Sequence, residues 1–234
     1  MMNLEPNTSC MAGMMRRRSS DLPAIDEVKE IRESNSSARP PAVFEIRIYG
    51  FNIRGMSEYL KMMDKKFWTL RTSFSTVYGP WKTEINNICE MVHIAQYESL
   101  SHLLETRSRM ASDLEWNQEL THIADLQMTF KNVLTILAPN TQLCTDFQAS
   151  ALAVYELQSI PETLMALCGE QAHRPGTTVV GRFLSVYGPD KTEYCLLRYP
   201  DPETAFDNAL SGRNRLRAGT NTRLMIPTHV SNLK

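Results

Sequence analysis

The side chains best placed to do chemistry lie on stretches where apolar and polar residues alternate. In Val43-Phe44-Glu45-Ile46-Arg47-Ile48-Tyr49, the residues Glu45, Arg47 and Tyr49 share one face of a strand, opposite Phe44, Ile46 and Ile48. Between Cys89 and Tyr97, His93 stands opposite Val92 and Ile94 and shares its face with Tyr97. A carboxylate, a guanidinium, an imidazole and phenols on one face could bind a small polar ligand or move a proton. The same set equally suits a hydrogen-bonded buried layer that only holds the fold together.

A later stretch, Val154-Tyr155-Glu156-Leu157-Gln158, repeats the pattern of Val43-Phe44-Glu45-Ile46-Arg47 and adds Glu156 and Gln158 to the candidates. If the two strands belong to facing sheets, Glu45 and Glu156 approach each other, one carboxyl is pushed up in pKa, and Arg47 relieves the repulsion. The expected candidate pocket is therefore an inter-sheet space lined by Glu45, Arg47, Tyr49, His93, Tyr97, Glu156 and Gln158. Arg71, Arg107 and Trp116 read as helix-surface ion pairing and core packing.

No glycine-rich phosphate loop, H-E-x-x-H, G-x-S-x-G or metal-ligand spacing occurs, and the five histidines are scattered singly. No catalytic residue, cofactor or metal is expected from motifs. The five cysteines are odd in number and never spaced C-x-x-C, which argues against a disulfide framework and a zinc site.

These residues need a scaffold, and 234 residues with 42% hydrophobic content can bury one. Lysine plus arginine (25) nearly equals aspartate plus glutamate (26), so the net charge of −1 gives no field to attract nucleic acid. No apolar run approaches the ~20 residues of a membrane-spanning helix.

Residues 1 to 41 show neither strand nor helix periodicity and read as a disordered arm. Arg16, Arg17 and Arg18 beside Ser19 and Ser20 resemble a mitochondrial presequence, although acidic residues return from Asp21 onward. A first domain, residues 42–139, then reads β-α-β-β-α-β. A strand from Val43 is followed by a turn over Gly50 to Gly55 and one amphipathic helix through Met56, Tyr59, Leu60, Met63, Phe67 and Leu70. A β-ribbon over Thr76 to Ile85 and Cys89 to Tyr97 precedes helical runs from Glu98 and from an Asp113 cap, and Val133 to Leu137 closes the unit. After a linker over 140–151, residues 152–234 begin the pattern again. The expected fold class is α+β: two tandem ferredoxin-like repeats, the second repeat shortened. The strings Val77 to Glu84 and Val186 to Glu193 are nearly identical, yet their distances to the next aromatic strand end differ, so they are not expected to be equivalent.

Met56-Ser57-Glu58-Tyr59-Leu60, Leu70-Arg71-Thr72 with Ser75, Gly79-x-Trp81-x-x-Glu84 and Val92-His93-Ile94-x-x-Tyr97 follow one another in an order that resembles the NIPSNAP family. His102, Arg107, Asp113, Glu115 and Trp116 continue it, and Met225-Ile226-Pro227-Thr228 is similar to the last strand of the family's third vertebrate branch. The chain departs at Ala95, where the family has tryptophan, at Ile85-Asn86-Asn87-Ile88, and in lacking most of a helical segment between Leu210 and Leu224. The resemblance implies that the two repeats form a pseudo-dimeric α+β barrel, like the dimeric α+β barrel superfamily, with mitochondrial residence (the cytosol as the alternative) and a non-enzymatic adaptor role in vesicular transport or mitophagy signalling through protein partners. Self-association, with no nucleic acid partner, is also in keeping with it. The competing class is a barrel that binds a small molecule or haem, or a cofactor-independent oxygenase or isomerase, using His93 with Glu45, Arg47 and Glu156.

Overall fold

Strand and helix boundaries follow from where side chains alternate and where a polar residue can cap a helix. The computed structural model describes residues 40–63, 66–85, 89–147, 150–161, 175–187, 191–212 and 220–233. Of the features expected above, residues 1–39 of the arm, 86–88 of the hairpin and 213–219 ahead of the last strand lie outside these.

The first half comprises β1 (Val43–Phe51), α1 (Ile53–Met63), α2 (Lys66–Phe74), β2 (Thr76–Ile85), β3 (Cys89–Tyr97), α3 (Leu100–Ser112), α4 (Leu114–Leu126) and β4 (Gln127–Leu137). The second comprises β5 (Val154–Pro161), β6 (Thr178–Ser185), β7 (Thr192–Tyr199), α5 (Pro202–Gly212) and β8 (Asn221–Pro227). This is a mixed α+β fold in which eight antiparallel strands close into one barrel, in the order β1-β3-β2-β8-β5-β7-β6-β4. Two seams join the halves: β2 with β8, where Trp81 stands opposite Pro227, and β4 with β6, where Thr135 stands opposite Ser185.

Apolar side chains pack the barrel interior. Phe44, Ile46, Val92, Leu157, Phe183 and Met225 meet there with little or no exposure. Phe44 meets Phe183 edge to face at 5.3 Å, and Trp81 meets Tyr155 at 5.3 Å. Inside, on the face of β3 that carries Val92 and Ile94, Glu90 accepts a two-pronged bond from Arg223 of β8 at 2.7 and 3.2 Å. The ion pair spans from the first half to the second.

Several expectations change in detail. The single long first helix is two helices, and the Gly50 to Gly55 turn contracts. β1 runs to Phe51, and Asn52 starts α1 by accepting from the Gly55 N–H at 2.7 Å through its side chain and from the Met56 N–H at 2.9 Å through its carbonyl. The Asp113 cap holds: its carboxylate accepts from the Trp116 N–H at 2.8 Å. Ser99 caps α3 in the same way. β4 begins at Gln127 instead of Val133, because its exposed first half pairs with β1 over nearly the whole length of that strand. The 140–147 stretch is irregular but docked. Leu143 and Phe147 pack on the barrel core, and the Cys144 N–H donates to the Val180 carbonyl at 2.7 Å. The two similar strings do occupy different places: Val77 to Glu84 lies within β2, whereas Val186 follows β6 and Glu193 belongs to β7.

Candidate functional site

The inter-sheet pocket expected from the sequence does not form, because the polar strand face points the other way. Alternation distinguishes two faces of β1 and β3 without saying which one lies inside. In a closed barrel the interior is sealed from water, so the apolar Phe44, Ile46, Ile48, Val92 and Ile94 fill it. Glu45, Arg47, Tyr49, His93 and Tyr97 instead occupy the outer face of the sheet, beneath the helices of the first half. Glu156 and Gln158 lie on the outer face of β5, opposite to Tyr155 and Leu157. Glu45 and Glu156 therefore never meet.

Each glutamate has its own polar nest. The Glu45 carboxylate, 1% exposed, accepts from the Tyr97 hydroxyl at 3.0 Å, from Arg107 Nη2 at 2.6 Å and from Asn132 Nδ2 at 2.6 Å, while Arg47 stands 4.0 Å away. Burial pushes this carboxyl up, but the Arg47 charge and the bonds from Arg107 and Asn132 outweigh it and hold it below the ordinary carboxylate range. On the second half, Glu156 accepts from the Tyr199 hydroxyl at 2.6 Å and from Gln158 Nε2 at 2.5 Å. Arg107 and Asn132 were not legible as ligands of Glu45, since both are distant in sequence. Tyr199 was within reach, because it ends its strand as Tyr97 ends β3.

A cavity of about 200 Å³ opens beside Glu45's nest, between the outer face of β1 and β3 and helices α1, α2 and α4. Arg47, Arg71 and His93 supply its polar wall, and Tyr59, Phe67 and Trp116 are among its aromatic neighbours. Arg47 lies over the rings of Tyr49 and Phe130, at 5.4 and 5.2 Å from their centres. His93 is packed between Tyr49 and Trp68, with ring centres 5.5 and 5.9 Å away. Burial, with the charges of Arg71 and Arg47 nearby, drives its pKa well below the ordinary histidine value, so the imidazole is neutral. Arg71, expected on a helix surface, is 1% exposed. Its place was readable: it falls four residues after Phe67 and three before Phe74, on the apolar stripe of α2. Glu45, Tyr97, Glu156 and Gln158 are not part of this cavity, whereas Arg47, Tyr49 and His93 are. Among the described residues there is no cluster of metal-ligating side chains.

The closed antiparallel barrel with helices over an outer polar layer defines an α+β barrel protein. Residues 44–141 match the NIPSNAP family model, so that segment of the chain is similar to the NIPSNAP family. The human protein NipSnap homolog 3A is 32% identical over 77 residues, which make up 32% of this chain and 31% of that protein. The human protein NipSnap homolog 3B is 29% identical over 155 residues, 62% of each chain, so the matches cover less than two thirds of either relative. In fold, the chain superposes on a candidate monooxygenase from Fusobacterium nucleatum with a TM-score of 0.56 at 9% identity, over 84% of this chain and 94% of that one. An anthrone oxidase-like protein gives 0.53 at 9% identity, over 82% and 93%. At such identity the likeness is one of fold alone.

Proposed function

We propose that this chain is a non-enzymatic mitochondrial interaction protein of the NIPSNAP type, acting as an adaptor in vesicular transport or mitophagy signalling. The observation that carries the docking part of this reading is the open side of β4. Among the described residues, β4 pairs with β6 over Thr135 to Leu137, and the Val186 N–H adds a bond to the Leu134 carbonyl at 2.8 Å; Gln127 to Val133 forms an edge there, with Met128 and Phe130 exposed upon it. Ile53, two residues beyond the Phe51 that stands opposite Gln127, is 83% exposed. A strand edge with no partner among the described residues, flanked by apolar side chains, suits an added strand or an apolar partner segment. The mitochondrial and signalling parts rest on the family resemblance and on Arg16 to Arg18. The strand orders β4-β1-β3-β2 and β8-β5-β7-β6 are the same, which supports reading 42–139 and 152–234 as tandem ferredoxin-like repeats joined at 140–151, the second shorter. Homo-oligomers built through the same edge fit this picture.

Proximity labelling in intact cells, scored beside organelle imaging, tests the reading with the full chain and an Ile53→Lys, Met128→Lys double variant. Both proteins should localise to mitochondria, and the labelled partners should be lost from the variant alone. A diffuse cytosolic wild type would remove the mitochondrial assignment. An unchanged partner set would remove the β4 edge as the docking surface.

A second reading, small-molecule binding, is favoured by one specific observation: the cavity at His93 on the outer sheet face. Its volume of about 200 Å³ falls below the ~300–1,000 Å³ of sites for drug-sized ligands, which disfavours haem and points to something compact.

A further inference from the structure

We propose that this cavity is a binding site for a small, flat carboxylic acid, with the carboxylate received by Arg71 and Arg47 and the apolar body lying among Tyr59, Phe67 and Trp116. The charge balance of its lining carries the inference. Two arginines line the cavity and no aspartate or glutamate does. Glu45, whose nest adjoins the cavity, is already engaged by Arg107, Asn132 and Tyr97, and reaches Arg47 only at 4.0 Å.

Arg71 is nearly sealed from solvent at 1% exposure, yet only its Nη1 has a partner, donating to the Ser75 hydroxyl at 2.9 Å. Its Nε and Nη2 have none. Those two N–H groups form one edge of the guanidinium, the fork that matches the two oxygens of a carboxylate. Arg47 Nε is likewise without a partner. A buried guanidinium served by a single neutral hydroxyl is unfavourable, and an anion at that edge relieves it.

His93 adds orientation. It is 2% exposed and neither ring nitrogen has a hydrogen-bond partner. As a neutral ring it offers one donor and one acceptor, suited to a hydroxyl or a carboxyl oxygen. The rings of Phe67 and Trp116 stack at 5.3 Å and 15°, which makes a flat apolar wall. Leu120 and Phe130, both partly exposed, line the same cavity and place its opening between α4 and β4. At about 200 Å³ there is room for several water-sized groups of about 30 Å³ each, which fits a single substituted ring.

The test uses the full chain, with benzoate as probe against its neutral analogue benzamide and against inorganic phosphate, read by calorimetric titration. Benzoate should bind at least tenfold more tightly than benzamide or phosphate. Arg71→Gln should weaken benzoate at least tenfold. Leu120→Trp alters no polar group and should block the opening to the same degree, so the location is tested even where Arg71→Gln does not fold. Met128→Lys, which disables the proposed docking edge, should leave benzoate binding intact, so the two readings fail separately. No benzoate binding to the wild type, equal binding of benzamide, tighter binding of phosphate, or full benzoate affinity in Leu120→Trp would each overturn the proposal.

Discussion

The hydroxyl of Tyr97 and the carboxylate of Glu45 are joined at 3.0 Å on the diagonal of the β1–β3 pair, where Tyr97 stands opposite Val43. Tyr199 repeats the relationship on the β5–β7 pair, standing opposite Val154 and donating to Glu156 at 2.6 Å. The two nests differ in charge. Glu45 is met by two arginines, whereas the hydrogen-bond partners of Glu156, Tyr199 and Gln158, are both neutral.

From that difference, Tyr199→Phe should destabilise the protein more than Tyr97→Phe. A hydrogen bond to a buried charged acceptor contributes about 1.5–3 kcal/mol, and Glu45 retains Arg107 and Asn132 when Tyr97 loses its hydroxyl. Urea melts of the two variants check the order. An equal or reversed loss would mean that the arginines add nothing at Glu45.

Acid should weaken the Glu45 nest. Its folded pKa is depressed below 4.5, so the stabilisation is complete above that value and is lost as pH falls through the folded pKa. Urea midpoints of the wild type should therefore drop below about pH 4 more steeply than those of Glu45→Gln, which has no carboxyl to protonate at this position.

His93 acts in a different window. Its folded pKa lies well below 6.5, so the unfolded chain takes up a proton that the folded chain refuses. Its contribution is complete above pH 6.5 and declines as pH falls, by at most about 1.4 kcal/mol per pH unit. His93→Gln should flatten the stability profile between pH 6.5 and 5. An unchanged slope would mean that the imidazole is protonated in the folded protein.

The filled barrel makes its own prediction. Phe183 is fully buried against Phe44, and Phe183→Ala should cost about 3–5 kcal/mol. Adding volume should also destabilise: a Cβ at Gly181 would stand 2.8 Å from the Phe183 ring and 3.1 Å from Leu143, so Gly181→Ala should cost about 1–3 kcal/mol. Thermal or urea unfolding measures both, and a neutral Phe183→Ala would contradict a packed interior.

Much of this was legible in the residues. The alternation of Val43 to Tyr49 and of Cys89 to Tyr97 identifies β1 and β3, Asp113 caps α4 as its position implies, and the repeat of Val43-Phe44-Glu45 at Val154-Tyr155-Glu156 falls on a strand, β5. The direction of each face was not legible. Every second residue of β1 is apolar, but both faces are buried, one by the opposite barrel wall and one by helices, and period-2 alternation carries no sign. Nor could local pattern join Glu45 to Arg107 and Asn132, 62 and 87 residues away. The buried Arg71 was misread because charge suggested a surface, where its spacing from Phe67 and Phe74 put it on the apolar stripe.

The central claim is that His93 and its neighbours occupy the helix-covered outer face of the barrel wall and not its interior. Nuclear Overhauser contacts from the His93 ring protons measure this directly. They should run to Trp68 and Tyr49, whose rings are centred 5.9 and 5.5 Å away. Contacts from His93 to Phe44 or Phe183, the aromatic pair that fills the barrel, would contradict the account and return the polar face to the space between the sheets.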